Sequence, residues 1–562
     1  MLRIPAFVLL CTLAIIGSVR TYAAERPNVL LICVDDLKPA LGCYGDKIAQ
    51  SPNIDRLAKR GVLFERAYCN QAVCSPSRNA LLTGLRSQTL GIYDLATNFR
   101  LSQPDALTLP QYFKQQGYRT EGMGKIFHVG HGNHEDDASW SVPHFRPKAT
   151  QYASLAAKVN SAKNDTASGS EDAKGAATEA ADVADNFYAD GALADEAVKR
   201  ISAAGERDQP FFIAVGFVKP HLPFVAPQKY WDMYDPKSLP LAEFQAPPAD
   251  APVYAPQFGG ELRNYADIPK QGLLPEALQR QLVHGYYAAT SYMDAQVGRV
   301  LDALERTGKA DNTIVVLWGD HGWHLGDHGM WCKHTNYEQA THIPVIIAAP
   351  KHLQDRRCSA LIESVDIFPT LCELADLPVP KGPQGASFAK TLDSKDARTK
   401  EYVIHVYPRS APGKGNVLGR AVRTERYRLV EWKAIGADAD SAEIELYDYV
   451  ADPLEKKNAA ADHPEVVKEL RAILAAQPEA VPQIKSKTDA VGSASTPSAA
   501  KPKQDRDKMF TTRDKNSDGK LTRDEFLTGQ PDPDEAPKRF TRFDRNGDGQ
   551  LSREEFVKAG KD

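Results

Sequence analysis

Short apolar runs that stop abruptly at polar residues recur along this chain. "NVLLICV" (28–34) runs into Asp35-Asp36, "PFFIAVGFV" (210–218) into Lys219-Pro220-His221, and "TIVVLW" (313–318) into Gly319-Asp320-His321. "PVIIAAP" (344–350) has the same style. None of them alternates apolar with polar positions, so each suits a strand buried on both faces, as in a parallel sheet covered by helices. Between them, "PNIDRLAKRG" (52–61) and "GYYAATSYMDAQVGRVLDALERTG" (285–308) carry helical spacing. The alternation predicts an α/β sandwich. In such sheets ligands gather at the carboxyl ends of the strands, which is where Asp35, Asp36, His221, Asp320 and His321 fall.

Elsewhere the pattern changes. Residues 145–185, with "SAKNDTASGSEDAKGAATEA", turn to Ala, Ser, Lys and Asp and read as a mobile surface insertion without a catalytic role. Beyond residue 390 come strand-like pieces, "EYVIHVY" (401–407), "RAVRTERYRLVEW" (420–432) and "IELYDY" (444–449), and a helical pattern, "PEVVKELRAILAAQ" (464–477). They predict a smaller α+β subdomain. Residues 478–505, rich in Pro, Ser, Ala and Lys, read as a linker. The expected units are therefore 25–389, 390–477 and a tail at 506–562.

The tail has its own chemistry. "DKNSDGKLTRDE" (514–525) and "DRNGDGQLSREE" (544–555) each fit a twelve-residue EF-hand calcium loop. The first supplies Asp514, Asn516, Asp518, Lys520 (through its carbonyl), Thr522 and Glu525; the second supplies Asp544, Asn546, Asp548, Gln550, Ser552 and Glu555. Gly519 and Gly549 take the sharp turn. Oxygen ligands at this spacing suit up to two calcium ions in a small helical module. A dockerin-type pair is the nearest rival, but Phe526 and Phe556 after each glutamate favour EF-hands.

With 562 residues and a formal charge of −4, the chain has no basic surplus, which gives nucleic-acid binding no support. "MLRIPAFVLLCTLAIIGSVRTYAA" (1–24) has the charged start, short apolar run and small-residue end of a secretory signal peptide, and is too short in its apolar part for a membrane span. An exported protein without an integral membrane segment is expected. Its seven remaining cysteines leave at least one outside any disulfide.

Cys74, in "VCSPSRNALLTG" (73–84), is the candidate. Ser75 suits a helix N-cap, Pro76 a first helical position and Gly84 a helix end. A thiol at a helix N-terminus has a lowered pKa, and Arg78 one turn on offers a fork for sulfate or phosphate. A buried structural thiol is the plain alternative.

"CSPSRNALLTG" resembles the signature of the type I sulfatases, C-x-P-S-R followed by L-T-G. "RPNVLLICVDDLKPALGCYGD", "SPNIDRLA", "GKIFH", "AVGFVKPHLPF", "YMDAQVGR", "GDHGW", "THIPVI" and "ELYDYVADPLEKKN" stand in that family's order between residues 26 and 475, and are most similar to its iduronate-2-sulfatase branch. The resemblance implies an alkaline-phosphatase-superfamily core with a large mixed, mostly parallel sheet and a C-terminal subdomain. It implies oxidation of Cys74 to formylglycine by a formylglycine-generating enzyme. It implies one active-site calcium on Asp35, Asp36, Asp320 and His321 beside residue 74, although nitrogen is an unusual calcium ligand. Arg78, Lys125, His128, His221 and Lys333 match the residues around the formylglycine and sulfate: His221, with Lys333, as acid toward the departing sugar oxygen, and His128 as base in sulfate release.

The implied substrate is a sulfated saccharide, first the 2-O-sulfate of a uronic acid in a glycosaminoglycan. Sulfated polysaccharides of other origin, algal ones included, stay open, because residues 145–185 and His334 depart from that branch. His324, Asp327, His328 and His334 either line the sugar site or lie on a loop surface. The rivals are a phosphatase or phosphodiesterase of the same superfamily, which usually carries Ser or Thr as nucleophile, and a non-catalytic calcium-dependent matrix protein. Signal and tail together suggest a bacterial periplasmic or secreted enzyme.

Overall fold

A computed structural model describes residues 26–154, 175–257, 260–394, 396–484, 506–528, 536–544 and 546–558. The chain forms two compact units, one up to residue 486 and one from residue 487.

The first unit is built on a seven-stranded sheet. Its strands are β1 (Asn28–Val34), β2 (Val62–Tyr68), β3 (Arg119–Gly124), β4 (Phe211–Phe217), β5 (Thr313–Gly319), β6 (His342–Ala348) and β7 (Arg356–Glu363), in the order β7-β2-β6-β5-β1-β4-β3. β3, β4, β1 and β5 run parallel side by side, and β6 lies antiparallel between β5 and β2. The absence of alternation in β1 has a direct cause: Val29, Leu31 and Cys33 enter one core, Leu30, Ile32 and Val34 the other. Helix α2 (Cys74–Thr83) sits on the first face; α1 (Pro52–Lys59), α3 (Ala189–Gly205) and α4 (Glu276–Arg306) cover the second. This is the expected α/β sandwich with a mixed, mostly parallel sheet.

A four-stranded antiparallel sheet follows, β8 (Val403–Ala411), β9 (Gly415–Arg423), β10 (Tyr427–Lys433) and β11 (Glu443–Asp448), with α5 (Pro464–Ala475) packed on it. The run 420–432 is not one strand: the chain reverses at Thr424–Arg426, where Thr424 N donates to Tyr427 O at 2.8 Å.

Two expectations are corrected. Residues 145–185 are not simply a surface insertion. Thr178–Ala181 pairs in parallel with Phe224–Pro227, and Glu179 accepts from Ala153 N at 2.7 Å, Ser154 N at 2.9 Å and Tyr188 Oη at 2.8 Å. Residues 155–174 lie outside the described ones. The linker also begins later than its composition suggests, because Val481 N donates to Gln88 O (2.8 Å) and Ile484 N to Gly91 O (2.7 Å). The signal-peptide reading of residues 1–24 lies outside the described residues.

In the second unit, Lys520–Thr522 and Gln550–Ser552 pair antiparallel, and Phe510, Leu521, Phe526, Phe540, Leu551 and Phe556 form the core. Asp514 accepts from Asp518 N (3.2 Å) and Gly519 N (2.9 Å), and Asp544 repeats this with Asp548 N (3.2 Å) and Gly549 N (2.9 Å). Glu525 and Glu555 each accept from a backbone N–H of their own loop, Thr522 and Ser552, at 2.9 Å.

Candidate active site

The four neighbouring parallel strands deliver the site. Asp35 and Asp36 follow β1, Asp320 and His321 follow β5, Lys125 follows β3, and His221 lies four residues after β4. β3 and β4 close tightly at this end: Lys125 N donates to Gly216 O at 2.8 Å, and a Cβ on either Gly124 (φ +75) or Gly216 would strike the opposite backbone. Two cis peptides, Lys219–Pro220 and Leu222–Pro223, flank His221. Lys219 is buried below them and donates to the carbonyls of His221 and Pro223, each at 2.7 Å.

Arg78 ties the strand ends together. Fully buried, it reaches Asp35 Oδ1 through Nη2 and Asp320 Oδ2 through Nε, both at 3.0 Å, and donates to the Lys125 carbonyl. Asp320 Oδ1 in turn accepts from the backbone N–H of Asp36 and of His321, at 3.0 Å each. Burial alone would raise the Asp35 pKa, yet Lys125, His221 and Arg78 together hold it well below the ordinary carboxylate value. Asp320 goes the other way, raised by burial and by the charge of Asp35. Lys333 Nζ straddles the Asp36 carboxylate at 3.0 and 3.1 Å; burial opposes its charge, but Asp36 and Glu261 keep it firmly protonated.

Cys74 opens α2, but its capping differs from expectation. The helix begins at Cys74 with extended Val73 as N-cap, so Ser75 and Pro76 lie inside the first turn. Pro76 is tolerated there because first-turn N–H groups have no intrahelical acceptor. Gly84 ends the helix at φ 69. Cys74 Sγ lies 3.4 Å from His321 Nε2. A lowered thiol pKa is not what the site produces: burial, reinforced by Asp35, pushes Cys74 well above the ordinary value. A thiolate nucleophile is therefore disfavoured. All seven cysteines among the described residues are free.

Ligand atoms of Asp35, Asp36, Cys74 and His321 lie within 4.8 Å of one another, all buried. Together with Asp320 they form an oxygen-rich set that fits a hard divalent cation, with His321 as the atypical member.

Above these groups lies a cleft of 910 Å³, lined by Cys74, Lys125, His128, His221, Lys333 and His334 together with residues no motif had marked: His131, Glu261, Tyr407 and Arg409. Glu261 Oε2 is 3.3 Å from Lys333 Nζ and 3.4 Å from His221 Nε2. His128 Nε2 faces His131 Nδ1 at 3.4 Å, while its buried Nδ1 has no hydrogen-bond partner among the described residues. Burial and Lys125 bring the His128 pKa down to about 3, so its ring is neutral at neutral pH. Of the four loop residues left open, His334 lines the cleft. His324 is buried against Thr335 Oγ1 (2.9 Å), His328 against Leu454 O (2.8 Å), and Asp327 pairs with Lys38 at 3.4 Å.

Comparison with known proteins bears directly on this arrangement. A family model described as "Sulfatase" matches residues 27–377, which is most of the chain. The chain belongs to the sulfatase family. A model for the C-terminal region of N-sulphoglucosamine sulphohydrolase matches residues 326–480, and an EF-hand model matches 538–559. Iduronate 2-sulfatase of Mus musculus is 34% identical over 518 residues, 78% of this chain and 92% of that protein; the Homo sapiens enzyme is 33% identical, covering 77% and 91%. A solved structure described as a 2-O GAG sulfatase superposes with a TM-score of 0.60 at 25% identity, over 80% of this chain and 91% of its own. This sulfatase therefore hydrolyses sulfate esters, and its family implies a formylglycine and a divalent metal. No helix among the described residues is long and apolar enough to cross a membrane.

Proposed function

We propose that this sulfatase removes the 2-O-sulfate of a uronic acid from a glycosaminoglycan-type saccharide, using a formylglycine formed from Cys74. The observation that carries the reading is the burial of Cys74 among Asp35, Lys125, Lys333 and His321 at the floor of a cleft wide enough for a sugar. A buried, fully protonated thiol is a poor nucleophile, so its position calls for conversion to another group. When formed, the formylglycine hydrate supplies a nucleophilic hydroxyl and a second hydroxyl whose deprotonation would expel the sulfate and restore the aldehyde.

Asp35, Asp36, Asp320 and His321 would hold the divalent cation, calcium by its oxygen-rich set, and its chemistry would be to neutralise charge on the sulfate oxygens. Asp35, Asp36 and Asp320 balance Arg78, Lys125 and Lys333 in formal charge, so a bound cation would leave the floor positive and suited to a sulfate ester. Lys125 and Lys333 orient the anion. His221, its Nε2 beside the Glu261 carboxylate and its Nδ1 2.6 Å from Leu222 O, holds a proton toward the departing sugar oxygen. Neutral His128 accepts a proton during sulfate release.

The two loops of the second unit bind calcium through Asp514, Asn516, Asp518, Lys520, Thr522 and Glu525, and through Asp544, Asn546, Asp548, Gln550, Ser552 and Glu555. The N-terminal 24 residues direct export, and a formylglycine-generating enzyme matures the chain.

The test is sulfate release from an aryl sulfate, a uronate-2-sulfate disaccharide and algal oligosaccharides, with Cys74→Ala as control and mass spectrometry at residue 74. Release from the uronate disaccharide, lost in the control, is expected. Release only from other sugars would refute the substrate, and full activity with an unmodified thiol would refute the formylglycine.

A further inference from the structure

The active-site cleft does not end at the sugar floor. Strand β8 and the loop around Leu95 wall it on one side, where Tyr407, Arg409 and Leu95 face the cleft. The same strand and loop also wall a second cavity of 570 Å³, whose lining includes Tyr93, Asp94, Pro408, Ser410 and again Arg409. Arg409 thus stands between two neighbouring spaces. Its guanidinium is fixed in place: Nε donates to Tyr254 O at 2.9 Å, Nη2 to Ala255 O at 3.2 Å and to His334 O, and the group lies over the Tyr407 ring at 4.3 Å. Every one of these hydrogen-bond acceptors is a neutral carbonyl. Among the described residues no carboxylate lies within ion-pair distance of Arg409, whereas Lys125 and Lys333, the other cations of the cleft, each pair with an aspartate. A half-buried, immobilised guanidinium that no carboxylate among the described residues pairs with, standing between two cavities, is arranged to receive an anion from outside.

The second cavity has a floor of buried Val417 and Leu418 with Ile435 beside them, and a rim that includes the exposed side chains of Ser410 and Asn416. Apolar floor and hydroxyl-bonding rim match the two faces of a pyranose ring, and the volume falls in the range of pockets that hold small ligands. Resting on the saccharide substrate proposed above, we infer that this cavity is a second saccharide subsite: the sugar chain next to the sulfated residue crosses Arg409, which binds its carboxylate or sulfate, and continues over Asn416. The enzyme therefore takes an anionic oligosaccharide in preference to a single sulfated sugar.

The test compares three probes on formylglycine-bearing protein: 4-nitrophenyl sulfate, a uronate-2-sulfate disaccharide, and the tetrasaccharide that carries the same sulfated uronate at its non-reducing end. The readout is kcat/KM on each saccharide divided by that on the aryl sulfate. The wild type is expected to favour the tetrasaccharide over the disaccharide by about tenfold or more, the size of one charge-assisted hydrogen bond. Asn416→Trp, an exposed position whose enlarged side chain fills the cavity, should erase that preference. Arg409→Gln should lower both saccharide ratios, with partial recovery in Arg409→Lys. Equal kcat/KM on the two saccharides, or a preference untouched by Asn416→Trp, would overturn the second subsite and leave the proposed substrate standing. Turnover of the aryl sulfate with silence on both saccharides would overturn the substrate and this subsite together.

Discussion

Replacing Lys219 by methionine should separate the placement of His221 from the stability of the fold. The Lys219 ammonium is buried, and burial brings its pKa from 10.5 down to about 8 against the favourable field of Asp190, Asp35 and Asp36. Holding that charge at pH 7 costs about 3 kcal/mol relative to the unfolded chain. Against this stand two hydrogen bonds of 2.7 Å to the carbonyls of His221 and Pro223, which fix the turn carrying the acid proposed above. Asp190 secures the other side of the same segment, accepting from Val218 N at 2.9 Å and Lys219 N at 2.8 Å. Lys219→Met removes the buried charge but strands two carbonyls, at about 1–3 kcal/mol each. The opposing changes largely offset each other, so urea unfolding at pH 7 should shift by no more than about 3 kcal/mol. The pH dependence gives a second check. A lysine whose folded pKa is depressed releases its proton in the native state first, so the wild type gains stability as pH rises from about 8 toward 10.5. The variant should lack that gain. Activity should nonetheless fall about 10–100-fold in kcat/KM on an aryl sulfate, because a general acid contributes on that scale and His221 loses its anchor. Full activity, or a loss of stability above about 5 kcal/mol at pH 7, would show that the reasoning is wrong.

Arg78→Met should destabilise the first unit by about 3–5 kcal/mol, seen in thermal unfolding, since it leaves the buried Asp320 carboxylate without its guanidinium and Asp35 with Lys125 alone; added calcium should recover part of the loss. Gly216→Ala places a Cβ against the Lys125 backbone, and should cost about 1–3 kcal/mol in denaturant unfolding while lowering kcat. His128→Ala should slow free sulfate release more than release of the aryl alcohol, measured as a stoichiometric alcohol burst in rapid-quench experiments. Deletion of 506–562 should leave hydrolysis by the folded core intact, whereas Glu525→Gln and Glu555→Gln should weaken calcium binding measured by calorimetry; a large loss of kcat on deletion would contradict the separation.

Strand ends were the most legible feature of the fold because chemistry changes sharply there. β1 occupies Asn28–Val34, the apolar run itself, since its residues enter two cores in alternation and each must be apolar. β6 instead begins at His342, before its apolar run, because backbone pairing with Tyr68 extends past the residues that burying requires. The long helix starts at Glu276 behind Pro275, nine residues ahead of the pattern at Gly285, and buried Leu282 and Val283 belong to the same face. In the 420–432 run the polar Thr424–Arg426 interruption was the turn, but Arg420, Arg423, Arg428 and Glu431 stand within the flanking strands too, so polarity alone did not mark it.

The site divides along the same physical line. Asp35, Asp36, Lys125, His221, Asp320 and His321 stand at the ends of adjacent parallel strands, so topology alone brings them together, and their motifs fix them in sequence. Glu261 and Arg409 reach the cleft from a short 3-10 helix (Gly260–Asn264) and from the second sheet, with no periodicity or motif behind them. Sequence distance carries no signal for such residues; packing of the two sheets does. The floor of the cleft comes from the strand ends and the start of α2, while part of its wall comes from the 3-10 turn at Gly260–Asn264 and from the second sheet. That division explains why the reaction was readable from short motifs and the choice of sugar was not: Cys74 and Arg78 share one helix and one motif, whereas Arg409 reaches the cleft from the second sheet.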